Sequence, residues 1–88
     1  MYKYLAEFLG TAVFLYVILA TGNAIAIGAT LALVIMVTSS ISGGYINPAV
    51  VFAKISAGEL PTKEALPYCV AEILGALLAV QVHKYVKI

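Results

Sequence analysis

Charged residues are scarce in this 88-residue chain, and Arg and Asp are absent altogether. Charged side chains make up 10% of the sequence, with five Lys, four Glu and a net charge of +1, whereas soluble domains carry about 25%. This balance provides neither a basic patch for nucleic acid nor an acidic tail. The single cysteine, Cys69, excludes an internal disulfide and a cysteine-based metal cluster. A Ser-His-Asp set and a phosphate-binding glycine loop are also missing, so we expect no enzyme, no bound metal and no cofactor.

Long hydrophobic runs are what the chain has instead. Hydrophobic residues make up 64% of the sequence, and the mean hydropathy is +1.08. Residues 8–53, between Glu7 and Lys54, are 46 consecutive positions without Asp, Glu, Lys, Arg or His. This run is too long for a signal peptide and fits two membrane crossings of about 20 residues each. We therefore expect an integral, multi-pass membrane protein surrounded by the lipid bilayer.

The hydropathy pattern predicts three membrane-crossing helices, at about residues 4–20, 24–40 and 64–85. The Gly22-Asn23 pair separates the first two and indicates a short turn. At 1.5 Å per residue, each helix is long enough to cross a hydrocarbon layer of about 30 Å. Three crossings would leave the two ends of the chain on opposite sides of the membrane.

The segment at about residues 41–57 is too apolar for a solvated loop and too short for another crossing. Asn47-Pro48 is a helix-start signal, because Asn is a favoured N-cap and Pro is favoured at the first helical position. A helix from Pro48 would end before Gly58, a natural C-terminal cap. Ten residues give about 15 Å, half of the hydrocarbon thickness. The sequence therefore predicts a re-entrant loop that reaches the middle of the membrane and returns as a half-helix.

Such a loop implies a pore or cavity beside residues 43–47, because irregular backbone at membrane depth must be covered by protein or lined by water. Gly43 and Gly44 would supply the conformational freedom that the descending chain needs. The half-helix would place about half a positive charge at mid-depth, and Asn47 could offer its amide NH₂ to a solute. This arrangement favours a neutral dipolar solute over a cation. The alternative is an ordinary N-cap in a surface loop.

Two stretches of this sequence resemble a known family. The run Ile41–Val50, Ile-Ser-Gly-Gly-Tyr-Ile-Asn-Pro-Ala-Val, resembles the signature loop of the aquaporin and glycerol-channel (major intrinsic protein) family. The motif Ala6–Thr11 resembles that family's first helix, and Gly75-Ala76 also fits. Small multidrug-resistance transporters have a similar first-helix motif but no Asn-Pro-Ala loop. The resemblance implies an all-α membrane fold of three transmembrane helices plus one re-entrant half-helix, which is half of an aquaporin-like fold.

The resemblance further implies a pore for water or small neutral solutes, with Asn47 donating hydrogen bonds at its centre. Glu7 would hold the backbone of the re-entrant loop, although a position near the interface would instead leave it hydrated. Ile27 is expected at the mouth of the pore. The expected pore residues are Gly43, Gly44, Tyr45, Asn47, Pro48, Ala49, Val50 and Ile27.

Four departures from the family pattern affect these expectations. The chain contains one Asn-Pro-Ala loop, whereas family members contain two. Tyr45 stands where many members have His, and it could either plug the pore mouth or anchor the loop. Val50 matches the family's first half, whereas the second half usually has Arg there, which narrows the filter. Glu72 occupies a position where Gln is common.

One half-helix cannot close a pore, so the fold is expected to pair with a second, inverted half. Three lysines lie on the side of the loop, Lys3, Lys54 and Lys63, and two lie on the other side, Lys84 and Lys87. So small a difference in positive charge favours neither orientation of the chain in the membrane. We therefore expect an antiparallel, dual-topology dimer of this chain, with a separately encoded second half as the competing partner. The other functions to weigh are a non-conducting structural membrane protein and a proton-coupled transporter that uses Glu7 and Glu72.

Overall fold

The computed structural model describes residues 2–86 of the chain. Within that range there are four α-helices and one short 3-10 turn: α1 Lys3–Thr21, α2 Ala24–Ser42, α3 Pro48–Ser56, the turn Thr62–Glu64 and α4 Ala65–Tyr85. Three of the helices are long and apolar enough to cross a membrane, whereas α3 has nine residues and measures about 14 Å. The predicted fold class, three transmembrane helices plus a half-helix, is confirmed.

The turn between α1 and α2 is as tight as its sequence indicates. Gly22 has a φ of 56°, in the left-handed region, and its N–H donates to the Ile18 carbonyl. The Asn23 side chain caps α2 by accepting a hydrogen bond from the Ala26 N–H. Because only two residues join the helices, α1 and α2 run side by side in opposite directions.

Helix α1 packs against both α2 and α4, and α3 packs against α4. Helices α1 and α4 are in close contact at Gly75, where an added Cβ would collide with the Phe8 carbonyl oxygen and press against the Ala12 nitrogen. A side chain at this position would therefore push the two backbones apart. Gly75 lies at the middle of α4, so the helices cross at mid-length.

Several helix ends differ from the sequence prediction by one or two residues. Helix α2 continues through the polar cluster to Ser42, two residues beyond the expected boundary. The polar side chains do not stop the helix, because hydroxyl groups such as that of Thr38 donate to the carbonyl four residues earlier. Helix α3 ends at Ser56, and Gly58, with a φ of 76°, turns the chain beyond it.

Two ion pairs lie on the loop side of the bundle. Lys3 at the start of α1 pairs with Glu64 before α4 at 2.5 Å. Lys54 near the end of α3 pairs with Glu59 at 2.9 Å, and this carboxylate raises the pKa of the lysine. Lys87, which belongs to the lysine count of the opposite side, lies outside the described residues.

Candidate functional site

The candidate site is built around residues 43–47, the irregular segment between α2 and α3. Gly43 and Gly44 have φ angles of 96° and 65°, values that L side chains rarely adopt. Ile46 also has a positive φ, 63°, which is strained for a β-branched residue by about 1–3 kcal/mol. A strained residue persists only where its surroundings hold it, and those surroundings are the polar groups described next.

Glu7 on α1 is fully buried, and its carboxylate accepts three hydrogen bonds from the loop and from the end of α2. The Ser42 hydroxyl donates to Oε2 at 2.5 Å, and the Tyr45 N–H donates to the same oxygen at 3.1 Å. The Ile46 N–H donates to Oε1 at 2.8 Å. These three contacts connect α1 to the loop, and Glu7 has 0% exposure; its loop-holding role in a pore stays a prediction.

Two further side chains bond the loop or the adjoining end of α2, and the sequence singled out neither of them, nor Ser42, for this role. Thr11 donates its hydroxyl proton to the Ile46 carbonyl at 3.1 Å. Tyr68 on α4 donates to the Ser42 carbonyl at 2.8 Å. The signals that were available are indirect, since Thr11 ends the first-helix motif and Ser42 directly precedes the two glycines.

The loop reaches half of the depth of the bundle. Thr11, which bonds the Ile46 carbonyl, is the ninth of the 19 residues of α1, about 12 Å from the start of that helix. Asn47 follows Ile46 directly, so α3 begins near mid-depth and runs back to the side on which α1 starts. This is the path of a re-entrant half-helix.

Asn47 caps α3 at this depth. Its backbone is extended, with φ −142° and ψ 129°, and its Oδ1 accepts a hydrogen bond from the Ala49 N–H at 2.8 Å. Pro48 takes the first helical position, where a missing N–H costs nothing. The Asn47 side chain is exposed, and within residues 2–86 its NH₂ group has no acceptor. The N-terminus of α3 therefore presents hydrogen-bond donors and about half a positive charge.

Only one face of α3 is covered. Val51 is fully buried, while Ala49 on the same helix is exposed. Val50 and Phe52 are 38% and 57% exposed, respectively. An apolar half-helix with an open face and an open N-terminus needs lipid or protein against it.

Tyr45 and Ile27 lie in different parts of the molecule. The Tyr45 ring packs edge-on against Tyr68, with ring centres 5.1 Å apart, and covers Gly43. Whether Tyr45 anchors the loop or plugs the pore mouth stays a prediction. Ile27 is half-buried in the first turns of α2, 15 residues before Ser42 and thus roughly 22 Å from the loop. Its position at a pore mouth stays a prediction.

Glu72 on α4 is a second buried carboxyl group next to the loop. Its exposure is 1%, and neither of its oxygens has a hydrogen-bond partner among the described residues. In that range there is also no group of three His, Cys, Asp or Glu side chains that could hold a metal ion.

Comparisons with known proteins agree with one another. The family model described as major intrinsic protein matches residues 18–88. A glycerol uptake facilitator protein-like 6 from Lactiplantibacillus plantarum is 40% identical over 88 residues, which cover 90% of this chain and 41% of the relative. Aquaporin Z from Brucella melitensis is 45% identical over 58 residues, covering 66% of this chain and 25% of the relative. A probable aquaporin PIP2-8 from Arabidopsis thaliana is 36% identical over 97 residues, covering 91% and 35%.

The chain therefore spans less than half of the length of each of these relatives. No solved structure matches the chain.

Proposed function

Since this chain belongs to the major intrinsic protein family, we propose that it forms half of a passive transmembrane pore for water or small neutral solutes. The observation that carries the proposal is the N-terminus of α3, which is capped by Asn47 and open at mid-depth. A helix terminus of this kind offers donors to the oxygen atom of a solute. Its partial positive charge opposes the entry of a cation.

The proposed pore would be less restricted than one with an arginine at its mouth. Val50, the third residue after the N-cap Asn47, is 38% exposed, so this position in the first turn of α3 is apolar and carries no charge. A pore lined in this way has fewer hydrogen bonds to offer and less electrostatic repulsion. We therefore expect solutes such as glycerol to pass as well as water.

The proposed pore is completed by a second, inverted half, for which we favour a second copy of this chain. The open face of α3, with Phe52 57% exposed, would then be covered by protein, and the loop would lie between two halves. Inverted repeats that meet at the midplane are common in transport proteins. A separately encoded half would satisfy the same surface.

The alternative functions make different demands on Glu7. A proton-coupled transporter needs a carboxyl group that is free to exchange its proton, whereas Glu7 is engaged by three donors from Ser42, Tyr45 and Ile46. These contacts favour a structural role for Glu7. A non-conducting structural protein would keep the same contacts, so only a transport measurement separates it from a channel.

The test is stopped-flow light scattering on proteoliposomes, with water first and glycerol second. Asn47→Asp keeps a good N-cap but removes the NH₂ donors and adds a negative charge. We expect water permeability to fall by roughly five- to tenfold, as expected when about 1–1.4 kcal/mol of hydrogen bonding is lost. Asn23→Asp is the matched control, because Asn23 is also an exposed N-cap, whose Oδ1 accepts a hydrogen bond from the Ala26 N–H of its own helix.

Three outcomes would contradict the proposal. If liposomes that contain oligomeric wild-type protein shrink no faster than empty liposomes, a non-conducting structural protein is favoured. If Asn47→Asp and Asn23→Asp both match the wild type, the solute does not pass the N-terminus of α3. A wild-type uptake that requires a pH gradient would favour the proton-coupled transporter.

A further inference from the structure

Glu72 is the one described side chain whose buried polar atoms have no partner. It lies on α4 with 1% exposure, and both of its carboxyl oxygens lack a hydrogen bond within residues 2–86. An ionised carboxylate without donors is very unfavourable in such a position, and more so at membrane depth. A carboxyl group in this situation must either find a cation or hold a proton.

The group that faces Glu72 is the carboxyl group of Glu7. Both oxygens of Glu7 already act as acceptors, for the hydroxyl group of Ser42 and two backbone N–H groups of the loop. A proton on either oxygen of Glu7 would compete with one of these donors, so a proton shared by the two carboxyl groups is placed better on Glu72. Two carboxylates side by side would repel each other, whereas one proton between them turns the contact into a hydrogen bond.

No cation among the described residues is placed to neutralise Glu72. On the elements that pack against α4, Lys3 pairs with Glu64 and Lys54 pairs with Glu59. Lys63 lies in the 3-10 turn beside Glu64. On α4 itself, Cys69 is one turn away and brings no positive charge. His83 and Lys84 are at least 11 residues further along the helix, about 16 Å or more.

We infer that the Glu7–Glu72 pair holds a single proton, carried by Glu72, which donates it to Glu7. In this arrangement Glu72 is a positioning residue: it does not touch a solute but orients the carboxylate that holds the Tyr45 and Ile46 N–H groups. Glutamine has the same shape and would donate through its amide NH₂. Glu72 makes the same donation only while it keeps its proton.

Infrared spectroscopy at neutral pH tests this inference directly. A neutral carboxylic acid has a C=O stretching band that a carboxylate lacks, and the chain has no Asp and only four Glu to contribute one. The protein should be measured in a maltoside detergent, which has no carbonyl group of its own. We expect one buried neutral-acid band in the wild type, its loss in Glu72→Gln and its retention in Glu59→Gln, a matched control with an exposed carboxylate.

The absence of the band from the folded wild type would overturn the inference, as would a band that survives Glu72→Gln. If Glu72→Gln does not fold, Glu59→Gln and Glu64→Gln decide the assignment. A band that survives both belongs to the buried Glu7–Glu72 pair, and a band lost in either does not.

The positioning role has a second readout, which rests on the proposed channel function. Glu72→Gln keeps a donor and should retain wild-type water permeability, whereas Glu72→Met has a similar volume without a donor and should lower it. Equal permeability of the two variants would contradict the positioning role. The infrared band reports the proton whether or not the chain conducts, so a failure of the proposed function and a failure of this inference are distinguishable.

Discussion

At the scale of single residues, the buried polar side chains within residues 2–86 contact the loop of residues 43–47 or lie beside it. Ile46 keeps a φ of 63° because its N–H is held by Glu7 and its carbonyl by Thr11. Leaving such a buried group without its partner costs about 1–3 kcal/mol, which is comparable to the strain that the loop stores. The loop conformation is therefore sensitive to each of its polar contacts.

Thr11→Val tests how much one of these polar contacts contributes to stability. The substitution keeps the shape of the side chain but removes the donor, so the buried Ile46 carbonyl loses its partner and the protein should lose about 1–3 kcal/mol of stability. Unfolding in mixed micelles, followed by circular dichroism, measures this loss. Thr30→Val is the matched control, because Thr30 donates to the Ala26 carbonyl of its own helix, which keeps its backbone hydrogen bond. The control should stay within about 0.5 kcal/mol of the wild type, and equal losses in both variants would contradict the role of Thr11.

The sequence allows some of these residues to be predicted and not others, for a physical reason. Asn47 caps a helix that begins at the next residue, so local pattern is enough to find it. Thr11 and Ser42 bond to partners 35 positions away, and Tyr68 to one 26 positions away. Such pairings depend on how the helices are packed, which spacing along one chain does not encode. Glu7 could be assigned only through the resemblance to a family.

At the scale of secondary structure, helix existence follows from hydropathy, whereas helix ends follow from capping. Helix α3 begins where the Asn-Pro pair predicts, because cap and first helical residue are both local signals. The sequence predicts the end of α2 at about residue 40, two residues before its actual end, because the Ser and Thr side chains there can compete for backbone hydrogen bonds. In this chain the Thr38 hydroxyl bonds back to the carbonyl four residues earlier in the helix, so the helix continues.

The α1–α4 contact gives a prediction at this scale. Gly75→Ala adds a Cβ that meets the backbone of α1 at Phe8 and Ala12, and backbone atoms cannot move aside alone. We expect the protein to lose about 1–3 kcal/mol of stability, measured by the same unfolding titration. Moving α1 away from α4 should also weaken the contacts of α1 with the loop. Gly28→Ala is the control, because an added Cβ there meets nothing within 4 Å. It should be neutral or stabilise α2 by up to about 1 kcal/mol; a greater loss for Gly28→Ala than for Gly75→Ala would contradict the packing argument.

At the scale of the whole molecule, two kinds of exposed surface can be distinguished. Large apolar side chains face outward along the long helices, such as Leu33, Met36 and Leu77 at 57–73% exposure, where lipid would cover them. The open N-terminus of α3 differs, because its polar groups would be unfavourable against lipid. This contrast between the two kinds of exposed surface is the reason to expect a second half. The sequence alone predicts that a second half is needed but not whether it is a copy of this chain.

The orientation of the chain in the membrane decides whether a second copy can be that half. In a Cys69→Ser background, Thr21→Cys and Thr62→Cys place single thiols at exposed positions on opposite sides. An impermeant maleimide should label about half of the copies of each variant if the chain inserts both ways. Complete labelling of one variant and none of the other would contradict the antiparallel dimer and leave a separately encoded half as the partner.

Lysine substitutions extend this test from orientation to function. Ser56→Lys with Thr62→Lys raises the lysine count to five against two and should fix one orientation, whereas Thr21→Lys and Ala24→Lys with Lys63→Gln gives two against four and should fix the other. Each fixed variant alone should then be as impermeable to water as empty liposomes, because an inverted partner is missing. Co-expression of the two should restore permeability, since each supplies the half-helix that the other lacks. Full activity of either variant alone would mean that its pore is completed without an inverted copy.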